Sequence, residues 1–234
     1  MDNKEFNFYS VDLKYIRELA KYDDNVMSIS PQRGKSTRPF LGVVTIVNNK
    51  RYCIPLTSPK AKFTNRPSKI DFIKIFDDSV KDKHGASKVI GVLNINNMIP
   101  IDTKVIRVKN LKINDNDSIN LKKRKHLLLD QLKWCRENTE KIVNKANKVY
   151  ISVTQSPKSN RDLTRRCCDF KKLEEVSDRY LHKNKDKEKS FSSLSRKTIQ
   201  RNAKLIKNNS ITKNKNRNKN YDRNKSRYIS SSAL

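Results

Sequence analysis

Within four residues, Thr57-Ser58-Pro59-Lys60, the chain sets two hydroxyls and an ammonium beside one another. Pro59 biases Ser58 toward an extended backbone. If that extension runs through Lys60, the Ser58 and Lys60 side chains point to the same side, because side chains alternate along a strand. A hydroxyl and a cation presented together off a rigid support can orient a phosphodiester and neutralise the charge it develops. Spacing alone favours a plainer arrangement, a Ser-Pro turn followed by a solvated lysine. Histidine chemistry has little support, since His84, His126 and His182 stand isolated along the chain.

The support is a hairpin. Phe40 to Val47 and Tyr52 to Leu56 are rich in β-branched residues, and Asn48-Asn49 between them tolerates the positive φ angles of a two-residue turn. Ahead of it, residues 25–37 carry Ser, Pro and Gly without a period and read as a loop. That loop brings Arg33 and Lys35, with Arg38 just beyond, to a basic lip before the strand. Such a lip is ordinarily solvated; beside a patch that handles phosphodiesters it becomes a phosphate clamp. Phe8 to Val11 predicts a short strand, after which Asp12 caps a helix with Leu13, Ile16, Leu19 and Ala20 on one face. Tyr15 lies off that stripe and is expected to face outward, packing at the rim or lying near a substrate; rim packing is the plainer of the two.

Further strands are predicted over 71–76, 89–95, 98–101 and 104–108, with a polar turn over 77–86. Asn94, Asn96 and Asn97 read as turn formers. An Asn- and Asp-rich linker over 110–121 precedes one long helix, about 121–150. Its Leu128, Leu132, Cys135, Thr139, Ile142, Ala146 and Val149 form a single buried stripe. Trp134 beside it packs in the core or offers its edge to a base, core packing being the plainer. A basic loop covers 152–166, and Asp169 caps a last helix ending at Leu181, with Phe170, Leu173, Val176 and Tyr180 on one face. Strands followed by helices predict an α+β domain over residues 1–181.

Of 234 residues, 53 are Lys or Arg and 24 are Asp or Glu, a net charge of +29 that calls for a polyanionic partner. Residues 182–234 hold 16 Lys and Arg against three acidic residues, a local charge of +13. With few apolar residues and no period, that segment cannot bury enough surface to offset its ordering entropy, so a disordered tail is expected. Its expected role is phosphate contact, although the Lys/Asn runs would equally follow from a biased base composition. No stretch approaches transmembrane length, and the N-terminus lacks the apolar core of a signal peptide. The expected location is the cytoplasm, with no membrane partner. Cys53, Cys135, Cys167 and Cys168 show no zinc spacing, so free thiols and no metal or other cofactor are expected.

Four blocks in order, IPLTSPK at 54–60, GVLNINNMIPI at 91–101, DQLKWCRENTEKI at 130–142 and CCDFKKLEE at 167–175, make residues 8–181 resemble the ToxN/AbiQ toxins. These are endoribonucleases of type III toxin–antitoxin systems. The resemblance implies a compact, strongly curved antiparallel sheet surrounded by helices, akin to the Kid/MazF toxins. It implies a catalytic patch at Thr57, Ser58 and Lys60, with Ser58 on the scissile ribose or phosphate, Lys60 on developing charge or in proton transfer, and Thr57 holding the backbone or a phosphate oxygen. Tyr15 matches the family pattern, Arg38 stands where members can place a lysine, and Trp134 replaces another aromatic. The implied partners are messenger RNA and a repeat RNA antitoxin, folded as a pseudoknot, that is processed by the toxin and inhibits it in a closed RNA–protein assembly. Growth arrest or abortive phage infection follows from its release. The long basic tail departs from the compact family pattern. Composition alone suits a second class equally well, a non-catalytic basic RNA-binding protein such as a ribosome-associated module.

Overall fold

The computed structural model describes residues 6–27, 38–46, 50–60, 67–81 and 85–183. Arg33, Lys35, the Asn48-Asn49 turn and residues 184–234 of the predicted tail lie outside the described residues. The strands are β1 (Asn7–Val11), β2 (Phe40–Thr45), β3 (Arg51–Thr57), β4 (Phe72–Lys81), β5 (Ser87–Asn94), β6 (Ile99–Pro100) and β7 (Ile106–Val108). The helices are α1 (Leu13–Ala20), α2 (Ile119–Glu137), α3 (Thr139–Thr154) and α4 (Arg161–Arg166), followed by α5 over 170–183. The first compact unit ends at Tyr180. The α+β expectation is met.

All strands join one antiparallel sheet in the order β4-β5-β3-β2-β1-β7, with β6 paired to β3 outside that path. β3 is the hub. One edge pairs with β2, from Thr45↔Arg51 to Phe40↔Pro55. The other edge changes partner along its length, meeting β6 at Tyr52 and Cys53 and β5 at Leu56 and Thr57. The change falls at Pro55, for a local reason. The Leu56 N–H donates to the Pro39 carbonyl on the β2 side (3.0 Å). The N–H that Pro55 lacks would therefore have faced the β5/β6 edge, where Pro55 can accept a ladder bond through its carbonyl but cannot donate one.

Two predicted boundaries move. β4 runs on to Lys81, so residues 77–81 of the predicted polar turn are strand, with Asp77 opposite Lys88 on β5. The single long helix is two, broken at Asn138. There the Asn138 side-chain amide and backbone N–H both donate to the Trp134 carbonyl (3.0 Å each), and the Thr139 hydroxyl donates to the Arg136 carbonyl (2.8 Å). Short polar side chains compete with the helical ladder in this way. The buried stripe survives the break, as Leu128, Leu132, Cys135, Ile142, Ala146 and Val149 all lie in the core. Part of the predicted basic loop is helix α4. Asp169 caps α5 by accepting from the Lys172 N–H (3.0 Å).

Polar ties lock the helices onto the sheet. Glu174 of α5 is buried and accepts from the Tyr52 hydroxyl of β3 (2.8 Å) and the Tyr150 hydroxyl of α3 (2.9 Å) on one oxygen. Its other oxygen faces Lys171 (3.5 Å) and Lys50 (3.9 Å). Burial, reinforced by the Glu174 charge, pushes the Tyr52 phenol far above its ordinary value, so it stays a donor. All four cysteines are buried thiols. Burial pushes Cys167 up to about 12 and raises the other three as well, which makes them packing residues and poor nucleophiles.

At Gly42 on β2 a Cβ would lie 2.4 Å from Cys53 Sγ on the neighbouring strand. Gly42→Ala is therefore expected to destabilise the fold by about 1–3 kcal/mol through overpacking. Gly42→Ala combined with Cys53→Ala should cost less than the two single changes added, because one methyl then occupies space the sulfur left. Urea denaturation of the three variants measures both effects, and additive losses would contradict the contact.

Candidate functional site

β3 ends at Thr57, and the polar string begins where the strand stops. A cleft of about 290 Å³ opens there, lined by Met27, Thr57, Lys60, Lys69, Asp71, Phe72, Asn94, Asn96, Asn97 and Arg166. Lys60, Lys69 and Arg166 bring three cations to it against the single carboxylate of Asp71. Ser58 is exposed next to Thr57 and is not among the lining residues, while Lys60 is exposed and lines the cleft. Of the three residues expected to carry chemistry, the structure thus brings Thr57 and Lys60 to the cleft wall and leaves Ser58 on the adjoining surface.

The far wall is built from the turn that follows β5. Asn96 donates its backbone N–H to the Asp71 carbonyl (3.0 Å) and its side-chain amide to the Arg166 carbonyl (2.9 Å). The Cys168 N–H returns a bond to the Asn96 carbonyl (2.8 Å), and Asn97 donates to the Asn25 carbonyl (2.7 Å). Asn94, read from sequence as a turn former, is instead a buried tie. It is 5% exposed, and its amide nitrogen donates to Thr57 Oγ1 (3.0 Å) and toward the carbonyls of Pro55 and Val92 (3.4 Å each). The repeated Asn in NINN was the available signal. What it missed is that three asparagines close together in sequence serve three different segments of chain.

Arg38 stands two residues before β2 and is half-buried. Its Nη1 meets the Met27 sulfur (3.7 Å), which places the guanidinium behind a cleft-lining residue. Its Nε is buried with no hydrogen-bond partner among the described residues, and burial lowers its pKa. A cation withdrawn from water with no carboxylate beside it among the described residues is prepared to receive an anion.

Two expected contact residues are corrected. Tyr15 does not face outward. It is fully buried, its hydroxyl donates to the Pro100 carbonyl (2.7 Å) and shares a bond with Ser177 Oγ (2.8 Å), and its ring meets Tyr180 edge-on. The buried face of α1 is Tyr15, Ile16 and Leu19, rotated from the predicted stripe. A phenol whose hydroxyl is already engaged inside the core has none to offer RNA. Trp134 is 8% exposed, packed against Phe76 with Lys141 over its ring, and lies away from the cleft lining. Its core alternative is the one realised.

Comparison with known proteins now decides the family. The family described as toxin ToxN of type III toxin–antitoxin systems matches residues 7–178. The chain belongs to the ToxN family. The Endoribonuclease ToxN of Bacillus thuringiensis subsp. kurstaki is 33% identical over 193 residues, covering 81% of this chain and 92% of that one. Among solved structures, a ToxN-family match from work on selective toxin inhibition by a non-coding RNA pseudoknot has a TM-score of 0.62 at 29% identity, covering 76% of this chain and 98% of the other. AbiQ, a lactococcal anti-phage endoribonuclease of a type III toxin–antitoxin system, follows with a TM-score of 0.60 at 25% identity, covering 76% and 98%. In this ToxN-family chain, no helix among the described residues is long and apolar enough to cross a membrane, and no group of three or more His, Cys, Asp and Glu residues there is arranged to hold a metal.

The cleft wall of this ToxN-family chain depends on one ion pair. Arg166 Nε reaches Asp71 Oδ2 (2.9 Å), while Asp71 Oδ1 is buried without a hydrogen-bond partner among the described residues. Arg166→Ala should therefore leave the whole carboxylate unsatisfied and lower stability by about 1–3 kcal/mol. Replacing both residues by leucine should recover much of that loss, because no buried charge remains. Guanidinium unfolding distinguishes the outcomes; an Arg166→Ala variant as stable as the parent would show that Asp71 relaxes freely to water.

Proposed function

We propose that this chain is an endoribonuclease toxin that cleaves RNA by transesterification without a metal, acts in the cytoplasm, and is held inactive by an RNA antitoxin. The observation that carries this reading is the T-S-P-K string at the mouth of a cationic cleft in a ToxN-family fold. RNA carries its own nucleophile. Its 2′-hydroxyl attacks the adjacent phosphorus, the bond to the 5′-oxygen breaks, and the products are a 2′,3′-cyclic phosphate and a 5′-hydroxyl. The protein need only align the attack, stabilise negative charge on phosphorus, and move protons on and off the two oxygens.

Thr57, Ser58 and Lys60 take those tasks. Lys60 neutralises the developing charge or assists proton transfer at the cleft wall. Ser58 contacts the ribose or phosphate from the adjoining surface, and Thr57 holds a phosphate oxygen. Arg38 clamps a flanking phosphate, and Arg33 and Lys35 extend that basic lip. The bulge in β2 between Leu41 and Val44 and the change of partner along β3 support a strongly curved sheet of the Kid/MazF kind. A pseudoknotted repeat RNA, cut by the toxin and retained in a closed assembly, would occupy the same phosphate-binding surface as messenger RNA. Its loss would free the nuclease to arrest growth or abort phage infection.

Purified protein is expected to cut RNA in EDTA and to leave the cyclic phosphate. Ser58→Ala should abolish cutting and toxicity, keep RNA binding, and change stability by no more than about 0.5 kcal/mol, since the side chain is exposed. Lys60→Ala should be inactive and bind RNA more weakly. Cleavage that requires added magnesium overturns the mechanism, and RNA binding with no cleavage by wild type points to the non-catalytic alternative.

Residues 182–234 carry +13 of the +29 net charge. We propose that they touch phosphates, each contact adding roughly one unit to the log–log salt slope of RNA binding. Deleting everything after Leu181 should flatten that slope and leave the cleavage pattern unchanged. Equal slopes for the two proteins would remove the tail from the interface.

A further inference from the structure

We infer that Asn94 is a positioning residue that fixes the Thr57 hydroxyl as a hydrogen-bond donor to a non-bridging oxygen of the scissile phosphate. The inference rests on the cleft being the RNA-cutting site and adds a residue to it.

The argument follows the direction of each hydrogen bond. The Pro55 and Val92 main-chain oxygens are carbonyls and can only accept. The end of the Asn94 side chain that faces both at 3.4 Å must therefore be its nitrogen, and the orientation of the amide is settled by chemistry. The same nitrogen lies 3.0 Å from Thr57 Oγ1. Thr57 must accept that bond, because the amide has only hydrogens to offer there. Its own hydroxyl proton then has to go elsewhere. Among the described residues the nearest acceptor is the Val92 carbonyl at 3.5 Å, the outer limit of a hydrogen bond, and that carbonyl is already shared with Asn94.

Thr57 and Asn94 both line the cleft that Lys60 and Lys69 make cationic. An anionic oxygen entering that cleft is a far better acceptor than the distant carbonyl, and charge-assisted bonds of this kind are the strong ones. Asn94 is nearly inaccessible, so water does not compete for its donor hydrogens. Pro55 contributes by having no N–H. On that edge of β3 Pro55 offers only its carbonyl, and the Asn94 side-chain nitrogen lies 3.4 Å from it. The effect is to present Thr57 with its acceptor lone pair used and its proton outward. This is electrostatic preorganisation set by a residue that does not touch the substrate.

The test uses the full-length protein and an oligoribonucleotide containing the linkage cut most strongly in a transcript of known sequence. That linkage is made as each phosphorothioate diastereomer. Wild type is expected to cut one diastereomer at least about tenfold more slowly than the other, since sulfur accepts hydrogen bonds poorly at the position Thr57 serves. Thr57→Val should lower the single-turnover rate roughly a hundredfold and erase the difference between diastereomers. Thr57→Ser should retain both rate and difference. Asn94→Ala should slow cleavage by at least about tenfold, leave RNA binding within about threefold, and shrink the difference. Added to Thr57→Val it should cost little more, because the two residues act as one unit.

If Asn94→Ala proves unstable, the isosteric Asn94→Asp keeps the volume but cannot donate. It should turn the Thr57 proton inward and likewise remove the diastereomer difference. An Asn94 variant that cuts at the wild-type rate overturns the inference, as does one that is slow but keeps the full difference. Equal cutting of the two diastereomers by wild type overturns it too. Normal cleavage by Ser58→Ala and Lys60→Ala would instead remove the cleft from the reaction, a failure of the underlying reading that these arms separate from a failure at Asn94.

Discussion

The constraint on which the rest depends is the missing N–H of Pro55. Proline inside a sheet is tolerated only where the ladder does not need its donor. Here that requirement divides one edge of the central strand between two partners, β6 before the proline and β5 after it. β5 can therefore end at Asn94 beside the last residues of β3, and the turn after it brings Asn96 and Asn97 to the cleft. The polar string beginning at Thr57 emerges into that space. A continuous ladder along β3 would have filled the same place with regular backbone pairing.

The hub is held from the other side by the cluster around Glu174. Tyr52, Tyr150 and Phe170 pack edge-on or stacked with centroids 5.8–6.0 Å apart, and both phenols donate to the same carboxylate oxygen. Such a network is worth keeping only when every member is satisfied. Here the two lysines at its margin complete it. Because Tyr52 belongs to β3 and Glu174 to the last helix, the register of the strand that carries Thr57 is tied to the docking of α5. Tyr15 makes a second tie of this kind, through Pro100 on β6 and Ser177 on α5.

Charge is distributed unevenly, and that suits the polyanionic substrate and inhibitor proposed above. At the cleft, Asp71 is committed to Arg166 and to the wall, leaving Lys60 and Lys69 to set the sign of the field. Arg38 is kept half out of water without an anionic partner among the described residues. A site with preformed, partly desolvated cations gains more from a phosphate than solvated surface lysines do. Specific binding at the cleft and diffuse attraction elsewhere on a chain of +29 can thus operate together.

Much was legible in the sequence because it depends on local physics. β-branched runs marked the strands around the hub, Asp12 and Asp169 marked helix starts, and the spacing of Leu128 to Val149 marked a stripe that is buried as read. Spacing alone favoured a solvated turn at T-S-P-K, and the four blocks in order carried the family. Tertiary structure alone decided which groups meet. Periodicity placed Ile16 and Leu19 on the buried face of α1 but left out Tyr15, because the buried site for Tyr15 is created by Pro100 and Ser177, 85 and 162 residues away. It missed the break at Asn138, where the Asn138 side-chain amide shares the Trp134 carbonyl with the backbone N–H and the Thr139 hydroxyl takes the Arg136 carbonyl. It could not tell a turn-forming asparagine from Asn94, whose partner Thr57 lies 37 residues earlier. Local sequence encodes conformational preference. Which donor reaches which acceptor is set only when distant strands close on one another.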